Sequence, residues 1–362
     1  MKNKILYILS SFNLYGGTPK KTLDLMKYFG SNSVLYVYEK GYNEFRSKFE
    51  DTGGRVYDGF YGKNLFRHLS ILLKIIDKKE IDIVQTQFFW GEVLGFFIKL
   101  FRPKVKVIVA FVGPFKPSKI KSIIANYLYK KIDSFVYITK FVQNEKQTQF
   151  PILKRKDGHI IFNGSSERID NETECAQLKN HSVFDIAGLV DWKNIQVLIK
   201  AINEIINNYK RECYFLYIAG EGPYRTTLEK LIEKYNLQKH VFLLGYQNNI
   251  GRLLNTCDVF AHPAYAEGFG IVIPEAMLAQ KPIIVANAGA LPELIEHEKT
   301  GLIVDPQDEK QWAEAIIKLA ENKEFADNLA SNARIKAEKD FSAEEFAQNY
   351  EKLYNSLLYN SK

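Results

Sequence analysis

Short apolar runs alternate with longer amphipathic stretches along the whole chain. This is the pattern of a parallel α/β fold, in which buried strands are joined by helical crossovers. In the first half the strand-like runs are 5–9, 34–38, 81–85, 105–110, 135–138 and 160–162. A polar stretch over 165–180 breaks the alternation and reads as a linker. The pattern restarts with runs at 183–187, 214–219, 241–244, 259–261, 283–286 and 302–304. Two Rossmann-like units in series are therefore predicted, 1–167 and 180–340, without a sequence repeat between them. After Asp340, Ser342 and Glu345 stand at capping-box spacing. Phe346, Tyr350, Leu353 and Leu357 follow at intervals of three to four, which predicts a final helix within 341–362.

At 362 residues the chain can build two substantial cores, and 46% hydrophobic with 25% charged residues is ordinary for a globular protein. No apolar run reaches the ~18 residues of a membrane span; the nearest, 88–101, is interrupted by Glu92 and Lys99. Met1-Lys2-Asn3-Lys4 runs straight into a strand, so no signal peptide is expected. Cys175, Cys213 and Cys257 are far apart, and the expectation is reduced, mostly buried thiols. These features point to the cytoplasm.

Charge changes the picture. Residues 1–170 carry 29 Lys+Arg against 15 Asp+Glu, a net of +14, and the remainder is net −7. The first half is expected to meet something anionic. No nucleic-acid motif accompanies the charge, so nucleic acid is not the expected partner. An anionic membrane surface or a lipid pyrophosphate fits better, a merely solvated basic face being the alternative. The stretch 119–131 has the pattern of a basic amphipathic helix able to rest on anionic lipid, or of a core-facing helix with surface lysines.

The most informative segment runs from Ala264 to Met277. It follows the strand-like run at 259–261, passes Gly268 and Gly270, and enters an apolar helix. Glu267 sits in the turn and Glu275 eight residues later, roughly 6 Å along a helix starting near Ile271. A helix mouth offers unpaired N–H groups to a phosphate, and carboxylates accept hydrogen bonds from sugar or ribose hydroxyls. Together these describe a nucleotide-sugar pocket.

This segment resembles the glutamate-x7-glutamate motif of family 4 retaining glycosyltransferases (glycosyl transferases group 1), and the likeness continues through Lys281–Ile295 and Thr300–Pro306. The resemblance implies a GT-B fold: two Rossmann-like domains facing across a cleft, with a C-terminal helix crossing back to the first. It implies that the N-terminal domain binds the acceptor and the C-terminal domain the donor. Glu275 would take the ribose hydroxyls. Glu267 would orient the transferred sugar and steady positive charge at its anomeric carbon. Lys193 and the amides of Gly270, Ile271 and Val272, with Gly268 and Phe269 in the same turn, would hold the diphosphate.

Other segments fit the same family. Gly16 and Gly17 stand in the glycine-rich turn after the first strand, and Gly188 opens the second domain. Tyr246 stands where the family's second-domain strand passes beneath the base, and Asn163-Gly164 resembles its interdomain turn. Three departures are visible. Leu189 replaces the arginine of a Gly-Arg pair, Gln85-Thr86-Gln87 stands in place of His-x-His, and no histidine occurs between His68 and His159. Gln85 and Gln87 can still bind acceptor hydroxyls but cannot carry a proton. His262, at a strand end, reads as a packed, neutral residue. No Asp-x-Asp and no metal-ligand spacing occurs, so neither metal nor cofactor is expected and the nucleotide sugar is the substrate.

The expectation is a metal-independent retaining hexosyltransferase. It would move a sugar from a nucleoside diphosphate to a glycan or lipid-linked acceptor, in bacterial surface-polysaccharide biosynthesis, from a peripheral seat on the inner face of the cell membrane. The alternatives are a non-catalytic GT-B partner subunit and a nucleotide-sugar epimerase.

Overall fold

The computed structural model describes residues 3–14, 17–62, 64–114, 116, 118–165, 178–179, 181–248 and 250–359. Two compact units appear: residues 1–164 with 343–362, and residues 165–342. Gly16, Cys175 and most of the 165–180 linker lie outside the described residues.

The first unit is built on a seven-stranded sheet in the order β3-β2-β1-β4-β5-β6-β7. Its strands are β1 (Ile5–Leu9), β2 (Ser33–Val37), β3 (Arg55–Asp58), β4 (Ile83–Thr86), β5 (Lys106–Phe111), β6 (Ser134–Tyr137) and β7 (Gly158–Ile160). The second has six strands in the order β10-β9-β8-β11-β12-β13. They are β8 (Ser182–Ile186), β9 (Phe215–Ala219), β10 (Val241–Gly245), β11 (Val259–His262), β12 (Ile283–Ala286) and β13 (Leu302–Val304). Every neighbouring pair is parallel. Strands buried on both faces read as continuous apolar runs, which is why the sequence pattern is so plain.

β3 is the strand the apolar pattern does not reveal. It lies at the sheet edge with none of its residues buried, so nothing selects a continuous apolar run there. The last strand of the first unit falls at Gly158–Ile160, two residues earlier than the apolar run suggests. Of the two described cysteines, Cys257 is buried as expected and Cys213 is exposed.

The closing helix, Ala343–Tyr359, belongs to the first unit. It buries Phe346, Tyr350, Leu353 and Tyr354 in the same core as Tyr7, Met26 and Phe29. At the crossing Ser165 pairs with Ser342 in a parallel bridge, and Ser165 N donates to Phe341 O at 2.7 Å. Gly164 is required at that crossing, because a Cβ there would lie 2.8 Å from Ala343 Cα.

A parallel sheet places its binding crevice outside the carboxyl ends of the strands, where the strand order reverses. In the second unit that point lies between β8 and β11; in the first, between β1 and β4.

Candidate functional site

At the switch point of the second unit, four ionisable side chains form one line. Asp185 lies in β8, and its carboxylate Oδ1 is 2.8 Å from Nδ1 of His262, the last residue of β11. His262 Nε2 faces Glu267 Oε2 at 3.4 Å, and the same oxygen accepts from the Lys193 ammonium. Asp185 and His262 are fully buried; the Lys193 and Glu267 side chains keep 13% and 14% of their surface. The line thus opens to solvent only at the Lys193–Glu267 end.

An ionised carboxylate only accepts hydrogen bonds, so a histidine placed between two of them must donate from both ring nitrogens. Burial opposes the imidazolium, but the Asp185 charge and the bonds to both carboxylates raise the His262 pKa above its ordinary value of 6.5. His262 is packed, as the sequence suggests, and the two carboxylates favour its protonated form over the neutral one expected there. Burial also works against the Glu267 carboxylate, yet the hydrogen bond from His262 and the Lys193 charge bring its pKa from 4.5 to about 2. Opposed shifts in adjacent buried groups at a strand-end crevice mark a functional-site candidate.

The backbone around Glu267 is fixed from two sides. Gly270 has φ +76°, and a Cβ there would meet Glu267 Cγ at 3.0 Å. Gly289 has φ +58°, and a Cβ would meet the Glu267 carbonyl oxygen at 2.7 Å and its nitrogen at 2.9 Å. Ala290 N donates to Glu267 O at 2.9 Å. Lys193 sits in a tight turn, Asp191–Lys193, closed by Asn194 in the left-handed region. Asn194 is buried, and its amide donates to Pro263 O at 3.1 Å and Pro306 O at 2.7 Å. Lys193 also lies 4.6 Å from the centroid of the Trp192 ring.

The remaining predicted residues fall into distinct groups. Glu275 is buried in a helix, Val272–Leu278, that has only seven residues, so its mouth is a weaker anion site than a long helix would offer. Ile271 caps that helix, and Ile271 and Val272 are half-buried. Gly268 is buried; Phe269 is buried with its ring 5.8 Å from Phe341, a core role instead of a contact surface. Gly188 follows β8, and Leu189 beside it is fully buried, with its N–H on Glu221 O at 3.0 Å. Tyr246, at the end of β10, is 63% exposed.

In the first unit, Gly17 begins the helix Gly17–Phe29 after β1, and Gly16 lies outside the described residues. Gln85 is buried in β4, and its carbonyl accepts from Tyr354 Oη at 2.5 Å, which anchors the closing helix. That bond engages one of its two polar atoms, and its buried Nε2 has no hydrogen-bond partner. Gln87 is buried at the carboxyl end of β4, and its Oε1 has no hydrogen-bond partner. Among the described residues no group of three His, Cys, Asp or Glu side chains is placed to hold a metal ion.

Sequence reasoning missed Asp185 and Asn194. Asp185 is a carboxylate inside an otherwise apolar strand, and that anomaly is a signal, since buried charges are kept only when paired.

Residues 171–336 match the family model described as glycosyl transferases group 1. The chain is 26% identical over 224 residues to the N-acetyl-alpha-D-glucosaminyl L-malate synthase of Bacillus anthracis, covering 60% of this chain and 58% of that relative. It is 28% identical over 246 residues to the poly(ribitol-phosphate) alpha-N-acetylglucosaminyltransferase of Staphylococcus aureus, covering 67% and 48%. These alignments thus span about half of each relative's length. A solved structure of Anabaena HepE in complex with UDP superposes with a TM-score of 0.80 at 22% identity, covering 98% of this chain and 100% of that one. A glycosyltransferase from Rickettsia africae superposes at 0.82 with 18% identity, covering 99% and 100%. The fold is GT-B, and its second unit carries the match to the glycosyl transferases group 1.

Proposed function

We propose that this protein is a retaining glycosyltransferase that moves a sugar from a nucleoside-diphosphate donor to an acceptor hydroxyl, without a metal, in the assembly of a surface polysaccharide. The observation that carries the reading is the Asp185–His262–Glu267–Lys193 line at the switch point of the second sheet. Such a line supplies two things a glycosyl transfer needs. Glu267 remains anionic beside the reacting sugar, where positive charge develops at the anomeric carbon. Lys193 has three N–H donors and gives one to Glu267, which leaves donors for a departing diphosphate. A preorganised charge of this kind stabilises a transition state without reorganising during the reaction.

Glu275, Tyr246 and the backbone of the 268–272 turn complete the donor site in this reading, the Phe269 ring staying in the core. Leu189 is not a lost phosphate contact in it, because its side chain belongs to the core. No side-chain nucleophile is assigned; attack occurs from the face of the departing phosphate, which takes the acceptor proton. The relatives named for transfer to L-malate and to poly(ribitol-phosphate) support hydroxyl acceptors, and the latter a cell-envelope setting. No helix among the described residues is long and apolar enough to cross a membrane. A peripheral seat on anionic lipid is supported by the helix Lys119–Leu128, where Ile120, Ile123, Ile124 and Tyr127 are exposed beside Lys119 and Lys121.

The test is a screen of UDP-, GDP- and ADP-sugars for nucleoside diphosphate release, with product stereochemistry read by NMR. Release with an α-configured product from an α-configured donor is expected. Inversion would overturn the retaining assignment, and conversion of the donor sugar with no release would favour an epimerase.

A further inference from the structure

Trp192 stands at the solvent end of the Asp185–His262–Glu267–Lys193 line. It is 39% exposed, beside a Lys193 side chain that keeps 13% of its surface. The Lys193 ammonium lies over the indole, 4.6 Å from its centroid, and donates to Glu267 Oε2. The cation is thus held from two sides, by a carboxylate and by a ring. Neighbouring side chains on a helical turn point away from one another, so adjacency in sequence does not by itself bring these two together.

The turn that carries them is fixed at several points. Lys193 N donates to Val190 O at 3.1 Å and Asn194 N to Asp191 O at 2.9 Å. Asn194 ends the turn at φ 55° and ψ 30°. The Tyr224 hydroxyl bonds the Asp191 carboxylate. Tyr265 N donates to Trp192 O at 2.9 Å, which ties the backbone of the indole to the segment leading into Glu267. Packing alone does not select tryptophan at a position that leaves so much of the ring in water.

The need for a ring follows from the cation. Between Gly188 and Asn194, Lys193 is the single basic residue, and Leu189 is committed to the core. A guanidinium offers a diphosphate a planar, preorganised fork. A lysine ammonium is a point charge on a flexible stem and can swing about any one partner. Glu267 therefore fixes the distance of the ammonium and leaves its direction open. An aromatic face on the other side closes off part of that freedom and attracts the charge through the ring quadrupole.

We infer that Trp192 is a positioning residue for Lys193: its indole face holds the ammonium so that the N–H donors not given to Glu267 point at the departing diphosphate. The inference rests on the transferase reading for the diphosphate, and on the geometry alone for the contact.

The experiment uses the full chain, with tryptophans carrying one to four ring fluorines placed at position 192 alone. Fluorine withdraws electron density from the ring face and scarcely changes its shape, so folding is not at issue. UDP-, GDP- and ADP-glucose are the donors offered, and nucleoside diphosphate release is the readout. The logarithm of kcat should fall in step with the number of fluorines while donor KM and Tm stay nearly constant. Trp192→Leu should lower kcat about twofold to thirtyfold, the range of one cation–π contact. Trp192→Phe should restore part of the loss. A kcat indifferent to fluorination, or a loss confined to KM, overturns the positioning role. NMR of protein labelled with ¹³C-lysine separates this failure from that of the transferase reading. The Lys193 Cε protons, assigned by their loss in Lys193→Met, should be shifted upfield by the indole ring and return in Trp192→Leu. Release with an unshifted signal overturns the contact and keeps the transferase. A shifted signal without release from any of the three donors keeps the contact and overturns its role in transfer.

Discussion

The Nδ1 of His262 lies 2.8 Å from Oδ1 of Asp185, and both side chains are fully buried. They join the carboxyl ends of β8 and β11, adjacent strands on either side of the point where the sheet reverses. Asp185 holds one ring nitrogen, so the other is aimed at Glu267. Asp185 touches no solvent and is a positioning residue in this arrangement.

Replacing Asp185 by Asn removes the charge that offsets burial of the imidazolium, so the His262 pKa should fall. We expect kcat to drop about tenfold to a hundredfold, as for other groups that orient a functional histidine, with donor KM little changed. The alkaline limb of the pH–rate profile should move to lower pH, because the cation is lost sooner as pH rises. A residue that served packing alone would lower Tm and leave that limb in place.

The same line sets opposite pH dependences of stability. Glu267 titrates near 4.5 when unfolded and near 2 when folded, so its contribution is complete above 4.5 and is lost as pH falls toward 2. His262 has its folded pKa raised above 6.5, so its contribution is complete below 6.5 and is lost as pH rises through the folded value. Thermal denaturation across pH should therefore show the Tm gap between wild type and Glu267→Gln closing on the acid side. The gap to His262→Gln should close on the alkaline side. Parallel Tm curves for wild type and both variants would contradict the ion line.

How much of this was legible beforehand depends on what each residue must do. The central strands announce themselves because burial on both faces demands apolar side chains, whereas β3 escapes because an exposed edge demands nothing, and β7, an edge with no buried residue, is read two residues late. Glu267 and Lys193 were visible through local motif spacing. Their contact was not, since 74 residues separate them and only the strand order brings them together. Gln85 shows the converse. Its standing in place of His-x-His suggested a ligand contact, while the bond that a tyrosine 269 residues later gives its carbonyl left no sign in the sequence.

Gly289 gives a test of backbone geometry. Its φ of +58° is unfavourable for any side chain, and a Cβ would press on the Glu267 backbone at 2.7 Å. Gly289→Ala should cost about 1–3 kcal/mol of stability and displace Glu267, lowering kcat more than donor affinity. A variant with wild-type kcat would mean that the loop yields without moving the carboxylate.

The helix Lys119–Leu128 predicts a separable membrane phenotype. Ile120 and Ile123 are 72% and 74% exposed, so Asp at both positions should leave the fold intact. Co-sedimentation with anionic vesicles should be lost, and in wild type it should weaken with salt. Phe66 is 86% exposed elsewhere on the same unit, and Phe66→Ser serves as the control for removing apolar surface as such. Equal binding of wild type to neutral and anionic vesicles would remove the anionic-lipid assignment.

Lys193 carries the last prediction, because the reading gives it the work a divalent ion would otherwise do at the diphosphate. Lys193→Met should lower kcat about a hundredfold or more. It should also raise the Glu267 pKa from about 2 toward 4.5, since the Lys193 charge is one of the causes of its depression. Lys193→Arg should restore little: a planar guanidinium cannot reproduce a compact ammonium held between Glu267 and the Trp192 ring. Wild-type turnover should be indifferent to EDTA. A loss of activity with EDTA that magnesium restores would reassign the countercharge from Lys193 to a metal, and the three measurements together decide which of the two stabilises the leaving group.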